Sequence, residues 1–189
     1  MAHEVKFTDM GGRESFRLAG LNAASFLRFW SHTIMQCKLD LEITDSQLGL
    51  RSRLIEEEEV EWGEGNLAQG LLLLPGLVML DPLSDEAFGA DIVVRVAEKF
   101  LPSKNAQRTV RMPFEIIDPA ELAIFSTEEE LPVKLDVTAG DYTLIYEVCL
   151  GKEVYYVFTL LQGRVELAEA LKSDGWGMEK GRVLAAGVF

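Results

Sequence analysis

The sequence predicts an all-β protein, mainly an antiparallel β-sandwich of roughly seven or eight strands, with short helices in its N- and C-terminal extensions. Three observations carry this. Apolar and polar residues alternate with period two in several segments, the pattern of half-buried strands. Those segments recur at short spacing, separated by glycine, proline and aspartate turn signals. Hydrophobic residues make up 48% of the 189 residues and charged residues 26%, a globular balance in a chain long enough to bury a core without staples. The expectation is one domain over residues 1–189, with a core of about 38–162 and extensions at 1–37 and 163–189.

Taken in order, Asn22 is a candidate cap for a helix through residues 23–35, where Phe26, Phe29, Trp30 and Ile34 approach a helical stripe. The aromatic content keeps a strand open there. Leu39, Leu41 and Ile43 alternate against Asp40, Glu42 and Thr44, which reads as a strand. Gly49 to Leu54 continues it or forms the next. Gly63, Gly65 and Gly70 mark a loop with room for one helical turn. The apolar run Leu71–Leu80 and the segment Ala90–Val96 read as central strands, with Pro75 confined to an edge, bulge or turn. Arg108–Ile117 puts Val110, Met112 and Phe114 on one face, with Pro113 marking an edge or irregularity. Ala120–Ser126 is a further short strand.

Leu131–Leu161 is the clearest β segment and reads as three consecutive antiparallel strands. Val133, Leu135 and Val137 alternate with polar residues, and Ala139-Gly140-Asp141 reverses the chain. Tyr142, Leu144, Tyr146 and Val148 then share a face, opposite Thr143, Ile145, Glu147 and Cys149. Gly151-Lys152 suits a two-residue type II′ hairpin, and Glu153–Leu161 returns. Arg164–Lys172 reads as an amphipathic helix with Val165, Ala168 and Leu171 on one side, stopped by the SDGWG stretch. The apolar tail, ending AAGVF, is suited to docking on the body or on a partner chain.

The net charge of −13 and pI near 4.6 argue against direct nucleic-acid or anionic-membrane binding, because phosphate contacts need a basic surface. The same acidity attracts basic partners. It is concentrated in Glu56, Glu57, Glu58, Glu59 and Glu61, followed by Trp62. Like charges so packed must face water or a cationic partner. The run is therefore either a solvated loop or a docking site in which Trp62 supplies an apolar anchor.

Chemistry beyond that is sparse. His3 and His32 stand in no ligand or catalytic spacing, and Cys37 and Cys149 form neither a disulfide framework nor a zinc motif. No nucleophile elbow, P-loop or dinucleotide fingerprint is present. No metal or organic cofactor is expected. Residues 1–16 show neither a basic region nor an apolar core of the secretory kind, and Leu71–Leu80 is too short to span a bilayer, so a cytoplasmic protein is expected. Tyr142, Tyr146, Tyr155 and Tyr156 read either as a carbohydrate platform or as core and cross-strand packing. A carboxylate pair of the glycosidase kind has no sequence signature by which to locate it.

One resemblance joins these features. The order KLDLEITDSQL, Trp62 followed by Gly70, ADIVVRV, VRMPFEI and LPVKLDVTAGDYTLIYEV resembles competence protein J, the DNA-entry nuclease inhibitor family of bacteria, over about residues 39–161. The resemblance implies a β-sandwich with a binding role, no catalytic residues, and a basic protein such as a nuclease as partner. A nuclease that grips phosphodiesters presents a basic groove, which an acidic protein can occupy by imitating phosphates. The leading expectation is thus a non-enzymatic, acidic protein-binding domain. A small-ligand or carbohydrate-binding sandwich is the alternative, and a hydrolase with a carboxylate pair the third reading.

Overall fold

The computed structural model describes residues 35–56, 61–82 and 88–189, and the backbone of two short strands, β1 (Val5–Thr8) and β2 (Glu14–Arg17). Backbone contacts divide the chain into Met1–Thr33 and Ile34–Phe189. In the first unit β1 and β2 pair antiparallel, with Val5 opposite Arg17. The helix expected after Asn22 lies outside the described residues, except that Met35 opens a strand.

The second unit is mostly strand. Its elements are β3 (Met35–Ile43), β4 (Leu48–Arg51), helix α1 (Glu64–Gln69), β5 (Leu71–Leu74), β6 (Leu77–Leu80), β7 (Phe88–Ala97) and β8 (Ala106–Ile116). A short 3-10 turn (Pro119–Glu121) leads to β9 (Ala123–Phe125), β10 (Glu130–Pro132), β11 (Gly140–Leu150), β12 (Val154–Gln162), β13 (Ala168–Lys172) and β14 (Val183–Leu184). Seven of these strands form a sheet in the order β14-β13-β8-β11-β12-β7-β3, and five form a smaller one, β10-β9-β4-β6-β5. Every pair is antiparallel except β12 with β7, which is parallel.

Both sheets contribute to one apolar cluster. Leu50, Leu73, Val78 and Ile124 enter it from the small sheet, and Ile92, Met112, Leu144 and Phe158 from the large one. Tyr142, Leu144, Tyr146 and Val148 share the inner face of β11, as the alternation predicts. Tyr146 stacks on Tyr156 with ring centroids 6.0 Å apart and tilts against Phe158 at 5.3 Å. Each such fully buried aromatic contributes about 1.5–3 kcal/mol relative to exposure.

The described strands outnumber the seven or eight expected, for identifiable reasons. The run Leu71–Leu80 is two strands, because Pro75-Gly76 closes a tight hairpin in which Leu74 faces Leu77. Gly76 takes φ +69° there, the left-handed value that the second turn position needs after proline. Residues 164–172 carry no helix. Ala168–Lys172 instead pairs with β8, burying Ala168 and Ala170 on alternate positions. Helix propensity is a weak prior that the open flank of β8 outweighs. β13 reaches only Thr109 to Arg111 of β8, so Pro113 lies beyond that pairing, where a residue without an amide N–H is tolerated.

The three-strand reading of Leu131–Leu161 also needs correcting. Leu131 and Pro132 belong to the small sheet, while 133–139 forms no ladder, and β11 pairs with β8 on the flank opposite β12. Val133, Leu135 and Val137 do pack on the core. Alternation reported which side chains turn inward, but not that the backbone has a partner strand. The β11–β12 connection has three residues, since Leu150 faces Val154, and Gly151 is not among the positive-φ glycines; the type II′ turn is absent.

Candidate functional site

The small sheet has a second apolar face, turned away from the shared core. Period-two alternation sends Leu72 and Leu74 of β5, Leu77 and Met79 of β6, and Phe125 of β9 to this side. The Phe125 ring lies over Gly49 of β4, where a Cβ would stand 2.2 Å from its tip. Ile55 and Trp62 pack on the same cluster. They bracket the acidic run, so both of its ends are tied to the apolar face.

Glu56 and Glu61 are exposed, whereas Glu57, Glu58 and Glu59 lie outside the described residues. Trp62 is half-buried, and its indole Nε1 is buried without a hydrogen-bond partner. Trp62 also lines a groove of about 290 Å³, with Leu67, Asp45, Ser46, Gln47 and Asp81. Leu67 is 66% exposed on α1. The turn from β3 to β4 supplies Asp45 and Ser46 at φ +50° and +52°, and the Gln47 amide donates to the Thr44 carbonyl at 3.1 Å. Both central residues take the left-handed conformation without being glycine, a strained turn of the kind that collects at binding sites. Asp45, Asp81 and Leu67 carried no sequence signal as partners of Trp62, because two turns bring them together.

Arg51 stiffens the neighbouring edge. It reaches Glu130 on β10 through two nitrogens and Glu121 through the third. The hydrogen bond from Arg51 holds the Glu130 carboxyl below its usual range, against burial, and raises the Arg51 guanidinium in turn.

The deeply buried carboxylates do not form an acid pair. Glu147 accepts from the Ser103 amide and hydroxyl, each at 2.8 Å, and from Arg95 at 3.3 Å. Asp174 pairs with Arg108 and accepts from the amides of Trp176 and Met178. Burial pushes the Cys149 thiol up, leaving it a poor nucleophile. Tyr142, Tyr146 and Tyr156 are core residues and Tyr155 is half-buried, so the four offer no sugar platform. Among the described residues no three His, Cys, Asp or Glu side chains stand together as a metal site, and no helix is long and apolar enough to cross a membrane.

Comparison with known proteins shows the family and the fold. The family model of competence protein J (ComJ) matches residues 40–161. Among solved structures, ComJ from Bacillus subtilis, an inhibitor of the DNA-degrading activity of NucA, superposes with a TM-score of 0.57 at 16% identity. The match covers 70% of this chain and 99% of that one. Crocagin biosynthetic gene J matches with a TM-score of 0.45 at 12% identity, over 70% of this chain and 99% of that one. None of the curated proteins matches the sequence.

Proposed function

The chain belongs to the competence protein J family, and on that premise we propose that it is a non-enzymatic inhibitor that binds a nuclease. Its docking surface is the acidic segment Glu56, Glu57, Glu58, Glu59 and Glu61 with Trp62. One observation carries the choice of surface: Trp62 packs on the outer apolar face and also lines the groove beside Asp45 and Asp81. Glu56 and Glu61 are therefore presented next to an apolar anchor, the combination that a basic, desolvated interface needs. The net charge of −13 steers such an encounter. The scaffold is a β-sandwich built on the unit Ile34–Phe189, whose two sheets share one core. The free thiols of Cys37 and Cys149 suit a reducing cytoplasm.

The test is a titration of a NucA-type nuclease with the purified chain while DNA degradation is followed. Activity should fall to a stoichiometric end point, and the apparent affinity should weaken steeply with added salt. Undiminished degradation at large molar excess would overturn the inhibitor reading. Inhibition that is indifferent to Glu56→Gln, Glu61→Gln and Trp62→Ala together would move the docking surface elsewhere.

A further inference from the structure

The tail 185–189 is held in a way that its sequence does not demand. Among the described residues β5 is an edge strand, paired with β6 alone, and an open edge leaves unpaired amides and carbonyls. The tail lies along that edge and over the start of α1. The Gly187 amide donates to the Leu73 carbonyl at 2.9 Å. Asn66, fully buried, donates to the Gly187 carbonyl at 2.8 Å and accepts from the Phe189 amide at 3.1 Å. Gln69, also buried, donates to the Ala185 carbonyl at 2.9 Å and accepts from the Ala185 amide at 3.0 Å. The Gly65 amide donates to the Phe189 carbonyl at 2.9 Å.

Both backbone groups of Ala185, Gly187 and Phe189 are thus satisfied by the cleft, with the Gly187 amide bonding the β5 backbone and the rest held by Asn66, Gln69 and the Gly65 amide. The side chains contribute less, since Val188 and Phe189 remain 55% and 50% exposed. The cleft is also shaped for this chain segment. A Cβ on Gly63 would stand 2.1 Å from the Phe189 carbonyl oxygen, and one on Gly65 would stand 2.2 Å from the Phe189 ring. Two buried amide side chains and two cradling glycines make a built receptor for a short backbone segment.

We propose that the cleft between α1 and β5 is a peptide-binding site that holds its ligand by the backbone, chiefly through the buried Asn66 and Gln69 amides. The chain fills it in cis with residues 185–189, and it takes the same segment in trans once the tail is released. Gly187, at φ +89°, makes glycine the required third residue of the ligand.

The proposal is tested with a fluorescent peptide of residues 182–189 and the full-length protein. Gly187→Pro removes the donor to Leu73 and forbids the positive φ, freeing the tail. The peptide should bind this variant saturably and bind wild type at least about 100-fold more weakly, because a tethered tail competes at roughly millimolar effective concentration. Adding Gly65→Leu to the variant should abolish binding. A folded Gly187→Pro protein that does not take up the peptide overturns the proposal. Hydrogen exchange on wild type supplies a second reading that needs no variant. The amides of Ala185, Gly187 and Phe189 should exchange together, faster than the core and slower than a free peptide. Exchange at the free-peptide rate, or only with global unfolding, overturns a releasable ligand.

Discussion

Arg51 grips Glu130 with two parallel hydrogen bonds, Nε to Oε2 at 2.6 Å and Nη2 to Oε1 at 2.5 Å. The pair links β4 to β10 across the intervening β9, and the third nitrogen holds Glu121 at 2.9 Å. The Arg51 side chain is 10% exposed, whereas Glu130 is 48% exposed. The consequences of breaking the pair are therefore unequal. Arg51→Met should cost about 2–3 kcal/mol in urea unfolding, since it removes a forked, charge-assisted contact and carbonyl bonds to Arg53 and Glu121. Glu130→Gln should cost about 1 kcal/mol or less, because water and Glu121 still serve the guanidinium.

Acid should loosen the protein in a defined order. Glu130 is held below its usual range by the Arg51 hydrogen bond. Burial works to raise Asp174, but its bonds from Arg108, Met178 and Trp176 outweigh this and hold it low. A carboxyl depressed in the folded state binds fewer protons there than in the unfolded chain. Its contribution is complete above the unfolded pKa, roughly 4, and is lost as pH falls through the folded value. Urea midpoints should be flat from neutrality to about pH 5 on account of these two groups, then decline below about pH 4. Asp174→Asn should weaken the protein at neutral pH and flatten that decline.

Tyr146 carries a hydroxyl that is buried without a partner. It borders a cavity of about 10 Å³ shared with Arg108, Asp81 and Gln69, at the lower limit for one water. Deleting an orphaned polar atom relieves its desolvation cost while the ring stack on Tyr156 persists. Tyr146→Phe should therefore raise stability, by up to about 1 kcal/mol in chemical denaturation. A loss of similar size would mean that the hydroxyl is satisfied by a bound water.

Side-chain direction was legible along the chain, and strand partnership was not. The alternation at Tyr142–Val148 reported an inner face that the structure bears out, because a pleated strand has period two wherever it sits. The same pattern at Val133–Val137 reported inward side chains on a segment with no ladder at all. Which strand pairs with which depends on residues far apart, as in the parallel match of Tyr155 with Asp91. The helix read at Arg164–Lys172 failed for a related reason: the exposed flank of β8 is a tertiary fact. At the candidate site, the glutamates and Trp62 stood out by charge and size. Asp45 and Asp81 did not, since only the β3–β4 turn and the end of β6 carry them to Trp62. Gly63 and Gly65 read as loop glycines, although their role is close approach to Phe189.

The acidic segment yields the prediction on which the inhibitor reading depends. Glu56 and Glu61 are exposed, and exposed charges at a docking surface act mainly while the partners approach. Replacing Glu57, Glu59 and Glu61 together by glutamine should slow association with a NucA-type nuclease and flatten its salt dependence, with dissociation nearly unchanged. Trp62 behaves differently because it joins the outer apolar cluster to the groove. Trp62→Ala should speed dissociation by an amount on the order of 2 kcal/mol, roughly 30-fold, as a buried interface anchor does. That variant also removes packing against Leu72, Leu77 and Met79, so its thermal midpoint must be measured alongside. Trp62→Phe separates the two effects, since it keeps most of the packing area but loses the indole reach into the groove. If both Trp62 variants stay folded and bind as tightly as wild type, the glutamate run is a solvated strap. The nuclease must then be held by another face of the protein.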